Sequence, residues 1–181
     1  MALSASQKEV LRFAKTYGNS MISALNEKPI YFSVMLTIAA TESGYGKSYS
    51  AIKRNNYFGI MKNKKEKMSF NSPKDCFDYW VDLLVNQNRY IVAGVPTAKS
   101  PYEQIRNMAL GGYYSANNDV KSTLPTNLQA KYGRVTAKES ADWYYTKNKE
   151  MLDAILLVLP IGKVNNKNAI ASSNLFNTIN V

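Results

Sequence analysis

Residues 35–60 read Met-Leu-Thr-Ile-Ala-Ala-Thr-Glu-Ser-Gly-Tyr-Gly-Lys-Ser-Tyr-Ser-Ala-Ile-Lys-Arg-Asn-Asn-Tyr-Phe-Gly-Ile. An apolar run stops abruptly at Thr41-Glu42-Ser43-Gly44-Tyr45-Gly46. Met35, Ile38, Ala39 and Glu42 recur at helical spacing, so Glu42 prolongs the inward stripe of a helix. Gly44 and Gly46 then end that helix. A carboxylate at such a place is costly when charged. Apolar neighbours oppose ionisation, and so does the negative end of the helix dipole. Both raise the pKa, and a carboxyl that keeps its proton near neutrality has what a general acid needs. The plain alternative is a Glu that frays into solvent at a helix end.

Asn55-Asn56-Tyr57-Phe58-Gly59-Ile60 joins an amide pair, an aromatic pair and a turn glycine. Amides bond hydroxyl and acetamido groups, and aromatic rings stack on pyranose faces, so the segment suits a sugar cleft.

Composition narrows the chemistry. The chain has 181 residues, enough for one domain with a real core. It has no histidine, which removes Ser-His-Asp and Cys-His catalysis and His-ligated zinc. Cys76 is the single cysteine, so no intrachain disulfide and no cysteine-based metal site is expected. Neither a metal nor another cofactor is called for. No apolar run is long enough to span a bilayer, and the first residues show no basic region followed by an apolar one. The formal charge of +10 favours a polyanionic partner. Lys far outnumbers Arg, which argues against specific reading of nucleic acid.

Glu-Ser-Gly-Tyr-Gly-Lys-Ser followed by Asn-Asn-Tyr-Phe-Gly-Ile resembles the signature of the family-73 β-N-acetylglucosaminidases. These are peptidoglycan hydrolases of the lysozyme superfamily. The resemblance covers roughly residues 5–160. It implies a mainly α (α+β) lysozyme-like fold, with a helical lobe and a small β-hairpin lobe. Glu42 would be the general acid, and the β-1,4 bond after N-acetylglucosamine the one cut. Ser43, Tyr45, Asn56, Tyr57 and Tyr114 would bind substrate.

After Ile60 the family carries a second acid on its β-lobe. Here Glu66 is the only acid available on Met-Lys-Asn-Lys-Lys-Glu-Lys-Met, and the interval from Glu42 is short, so the hairpin looks trimmed. Glu66 is either that second carboxylate or a solvated charge among lysines. A resting separation beyond about 10 Å from Glu42 is expected, because the hairpin is short and its lysines repel one another. The family also places a Gly-Tyr whose hydroxyl faces the catalytic centre, and Tyr113 matches it. The residues after it, Tyr114-Ser115-Ala116-Asn117, depart from the family pattern.

The rest reads as helices. Ser4 or Ser6 caps the first, which Gly18 could split. Pro29 opens the central helix, Ser72-Pro73 and Pro101 open two more, and Thr136-Ala137-Lys138-Glu139 caps a long last one. Trp80 lies on an apolar stripe and reads as core. The expected organisation is a domain over residues 1–160 and a tail over 161–181 that docks on the domain or on a virion or cell-envelope partner. The expected partner is the peptidoglycan glycan strand. With no visible signal, the chain is expected to be made in the cytoplasm and to act at the cell wall, carried in a virion or released by lysis. The rival readings are a muramidase or lytic transglycosylase, and a non-catalytic lysozyme-like component of a phage tail or cell-surface machine.

Overall fold

The computed structural model describes residues 3–63, 65–113, 137–159 and 176. Seven helices stand among them: α1 (Ala5–Ala24), α2 (Phe32–Ser43), α3 (Tyr49–Arg54), α4 (Pro73–Asn86), α5 (Asn88–Val92), α6 (Pro101–Leu110) and α7 (Ala137–Val158). None of the described helices is long and apolar enough to cross a membrane.

The helix starts follow their local chemistry. Ser4 caps α1 in a reciprocal box with Gln7, Ser72 caps α4 ahead of Pro73, and Ser100 caps α6 ahead of Pro101. α2 begins later than Pro29 suggests. Its N-cap is Tyr31, whose N–H donates to the buried Gln104 side chain at 2.8 Å. A tertiary partner thus takes the place of a capping side chain. Thr136 lies outside the described residues.

The core is organised on α2. Every residue from Phe32 to Ala40 is buried. α1 packs against α2 and α4, and α7 packs against α2, α6 and α1. A helix that is apolar all round belongs at the centre of a globule, and this one holds the Glu42 turn from within.

Gly18 does not split α1, which is continuous through it. Its missing side chain makes room instead. A Cβ there would lie 2.8 Å from the ring atoms of Phe176, which is buried and packs tilted against Phe32 at 5.4 Å between centroids. One residue of segment 161–181 therefore sits in the core. Gly18→Val is expected to displace that ring and to destabilise the chain by about 1–3 kcal/mol. Thermal denaturation reads this, and an unchanged Tm would count against the contact.

The hairpin expected after Ile60 is reduced to one isolated antiparallel bridge, Met61 to Lys67. Hydrogen bonds Lys62 N to Glu66 O (2.8 Å) and Met68 N to Ile60 O (2.9 Å) flank it. Asn63 Oδ1 accepts from the Lys65 and Glu66 amides, forming the turn. Lysines without alternating apolar partners leave nothing for a longer ladder to bury. No regular strand is present among the described residues.

Candidate active site

α2 ends in three consecutive residues of left-handed backbone: Gly44 (φ 56°), Tyr45 (φ 58°) and Gly46 (φ 80°). Glycine accepts this conformation freely and tyrosine does not, so Tyr45 must be held. Its N–H donates to Ala40 O at 2.9 Å, and its hydroxyl lies 3.1 Å from Ser6 Oγ on α1. Gly46 has a second reason to lack a side chain, since a Cβ there would stand 3.2 Å from the Phe13 ring. Ser43 is fully buried, donating from Oγ to Ala39 O and accepting from Gly46 N at 2.8 Å. The Glu-Ser-Gly-Tyr-Gly run is thus a rigid stop that fixes the turn carrying Glu42.

Glu42 lines a cleft of about 530 Å³. The other walls come from 58–61 and Lys67, from Tyr79, Trp80 and Leu83 on α4, from Gln87, Arg89 and Tyr90, and from Tyr113 and Tyr144. Burial of its side chain was expected, but Glu42 stays exposed at the cleft surface. The last turn of α2 opens directly into the concavity. The surrounding protein still removes enough water from the carboxyl to raise its pKa, and the charges of Lys147 and Lys67 act in the opposite sense.

Tyr113 stands in the same cleft, its hydroxyl accepting from Trp80 Nε1 at 2.8 Å. Burial raises its pKa well above the usual phenol range, and the nearby Glu42 charge adds to this. The phenol therefore keeps its proton throughout any working pH.

The 56–58 segment divides between cleft and core, and the two residues expected to bind substrate go to the core. Phe58 lines the cleft, stacked on Trp80 at 4.5 Å and 11°. Asn56 and Tyr57 lie behind it and are not among the lining residues. Asn56 is buried, donating to Ile60 O and Met68 O and accepting from Ile60 N, so its amide is fully used on the backbone. Tyr57 is buried in a ring cluster with Phe13, Tyr17 and Phe77. Behind that cluster, burial pushes the Cys76 thiol up to about 12, so it stays inert. Asn55 sits in left-handed backbone (φ 48°) at the end of α3 and re-aims everything after it.

Ser43 and Tyr45 are likewise not brought to the cleft. Tyr45 lines a different concavity with Glu9, Arg12 and Lys47. Tyr114 lies outside the described residues. Glu66 is half-exposed, 3.8 Å from Lys62 Nζ, and is not among the lining residues. Its neighbour Lys67 is, so among the described lining residues Glu42 is the only acid.

Sequence reasoning missed several lining groups. Tyr79 is 40 % exposed and offers a ring to a sugar face. Gln87 supplies the amide expected of Asn56. Arg89 donates to Gln87 Oε1 and Gly112 O, and its guanidinium lies 4.4 Å above the Tyr90 ring. An aromatic ring on the polar face of α4, beside Trp80, was the available sign for Tyr79.

No curated protein and no solved structure matches the chain. Residues 18–157 match the Glucosaminidase family, described as mannosyl-glycoprotein endo-beta-N-acetylglucosaminidase. That span contains every residue named above as lining the Glu42 cleft. The match takes in most of the chain, and the chain belongs to this family of endo-β-N-acetylglucosaminidase-type glycoside hydrolases.

Proposed function

We propose that the protein cleaves the β-1,4 bond after N-acetylglucosamine in peptidoglycan, with Glu42 as general acid and the substrate's own 2-acetamido group as nucleophile. One observation carries this reading: the cleft holds Glu42, whose pKa is raised by desolvation, with Lys67 and no second acid among its described lining residues. Glu42 gives its proton to the glycosidic oxygen as the C1–O bond breaks. The acetamido oxygen attacks C1 and forms an oxazolinium ring. Water then opens that ring at C1 and returns a proton to Glu42. Tyr79 supports a pyranose face, and Lys67 and Arg89 suit the acidic stems of the wall polymer. Phe176 in the core supports a tail that docks on its own domain.

Digestion of purified peptidoglycan, followed by mass spectrometry of reduced muropeptides, tests the reading. New reducing N-acetylglucosamine ends are expected. Reducing N-acetylmuramic acid would make the enzyme a muramidase. A 1,6-anhydro end would make it a lytic transglycosylase, which a single-acid cleft also serves. Glu66→Gln is expected to keep activity within about threefold of wild type, well short of the loss for a general acid. A loss comparable to that of a Glu42 variant would restore Glu66 as the second carboxylate.

A further inference from the structure

The indole of Trp80 is fully buried between Phe58, stacked on its face, and Tyr113, edge-on at 6.3 Å and 85°. Its Nε1–H can only donate, and it donates to the Tyr113 hydroxyl oxygen at 2.8 Å. A phenol oxygen accepts on one side, near the ring plane, and carries its proton on the other. With the indole on the accepting side, the hydroxyl cannot turn its proton toward Trp80. The Tyr113 ring is held in place by Tyr90 and Tyr144, at 6.4 and 6.0 Å between centroids. The cleft shared with Glu42 lies before it.

We propose that Trp80 is a positioning residue: its N–H fills the acceptor side of the Tyr113 hydroxyl and directs the phenolic proton into the cleft. Tyr113 then serves as a fixed hydrogen-bond donor to the Glu42 carboxylate left once its proton has gone to the leaving group. This rests on the reading of Glu42 as the general acid. The phenol itself transfers no proton. It meets the negative charge that develops on Glu42, and it is already oriented when that charge appears. The other titratable groups acting on this pair are Lys147 on α7 and Lys67 of the 61–67 bridge, which face Glu42, and Tyr90 and Cys76, which act on Tyr113. None of them donates to the Tyr113 oxygen in place of Trp80.

Trp80→Phe keeps a ring against Phe58 and removes the donor together with part of the indole's volume. Its kcat is expected to fall about 10- to 100-fold, with KM little changed. The basic limb of its pH profile should move to higher pH. A freed hydroxyl can turn and accept from the protonated Glu42 carboxyl, and that favours the neutral form. Tyr113→Phe should move the same limb in the same direction. The Trp80→Phe/Tyr113→Phe double variant should be no slower than Tyr113→Phe alone, because the indole acts only through the phenol. An unmoved limb, or losses that multiply in the double variant, would overturn the proposal.

A second measurement holds even where Trp80→Phe fails to fold. The chain has two tryptophans, so the 15N-labelled protein gives two indole N–H signals. Tyr113→Phe should shift the Trp80 signal and speed its exchange with solvent, leaving that of Trp143 in place. A Trp80 signal untouched by Tyr113→Phe would sink the idea without reference to turnover. If the wild-type chain cleaves no glycan strand, the general-acid reading fails instead, and the indole signal still decides whether Trp80 sets the direction of the hydroxyl.

Discussion

Glu42→Gln is expected to reduce cleavage of peptidoglycan by about 10²–10⁴-fold, the usual worth of a positioned general acid. The geometry changes little, because Gln is isosteric and the Gly44–Gly46 stop that fixes the turn does not involve the Glu42 side chain. The loss should therefore appear in kcat with KM nearly kept. The same variant makes a stability prediction with a definite sign. Glu42 binds its proton more tightly in the folded chain than in the unfolded one. Between the ordinary Glu range and the raised folded value, the folded state holds more protons, so wild-type stability falls as pH rises through that window. Below the window both states are protonated and the contribution vanishes. The Glu42→Gln chain has nothing to ionise there. It should melt above wild type at neutral pH, with the difference fading as pH drops below the usual carboxylate range. A Glu42→Gln advantage over wild type that is no larger at neutral pH than at low pH would remove the argument from desolvation. A variant that still clears cell walls at the wild-type rate would remove Glu42 from the mechanism.

The largest expected effect on stability belongs to Asn56. Its side chain gives two hydrogen bonds to carbonyls and takes one from an amide, all at 2.8–3.0 Å and at a position 1 % exposed. Asn56→Asp would set an acceptor against the Ile60 and Met68 carbonyls, with a buried charge or a forced proton as the choice. A loss of about 3 kcal/mol or more is expected, which for a chain of this length lowers Tm by roughly 6–12 °C. Asn56→Ala, which leaves the three backbone groups unpaired without a new repulsion, should cost less. Because the amide ties residues 56, 60 and 68 together, it supports the cleft wall formed by Gly59, Ile60, Met61 and Lys67. Activity of Asn56→Asp should therefore fail at lower temperature than global unfolding does. A Tm within a degree of wild type would show that the amide is not what holds this wall.

The helices were legible because their signals are local. Ser72-Pro73 and Ser100-Pro101 fix α4 and α6 through capping chemistry that needs no tertiary partner, and Gly44 ends α2 for a purely conformational reason. Glu42 and Tyr113 were readable because each stands at a helix end that glycines mark in the sequence, Glu42 in the last turn of α2 and Tyr113 just after α6. The segment between 55 and 68 was not. It has no period, so nothing in its order says that Phe58 faces the cleft and Asn56 the interior. That choice is made by the left-handed Asn55 and by the backbone groups Asn56 must satisfy. The amide and aromatic types suited a sugar site, and the fold used two of them for its own core. Lys67, Gln87 and Arg89 gave no sequence sign at all, since exposed polar residues become a cleft wall only through the approach of distant elements.

α2 is walled in by other helices along nearly its whole length, and this has a kinetic meaning. Its amides can reach solvent deuterium only when the globule opens as a whole, so they should be the slowest in the chain to exchange. The 60–68 segment, held by a few turn hydrogen bonds beside solvent, should exchange orders of magnitude sooner. One side of the cleft is thus anchored in the last part of the molecule to come apart. The other can breathe while Glu42 at the end of α2 stays still.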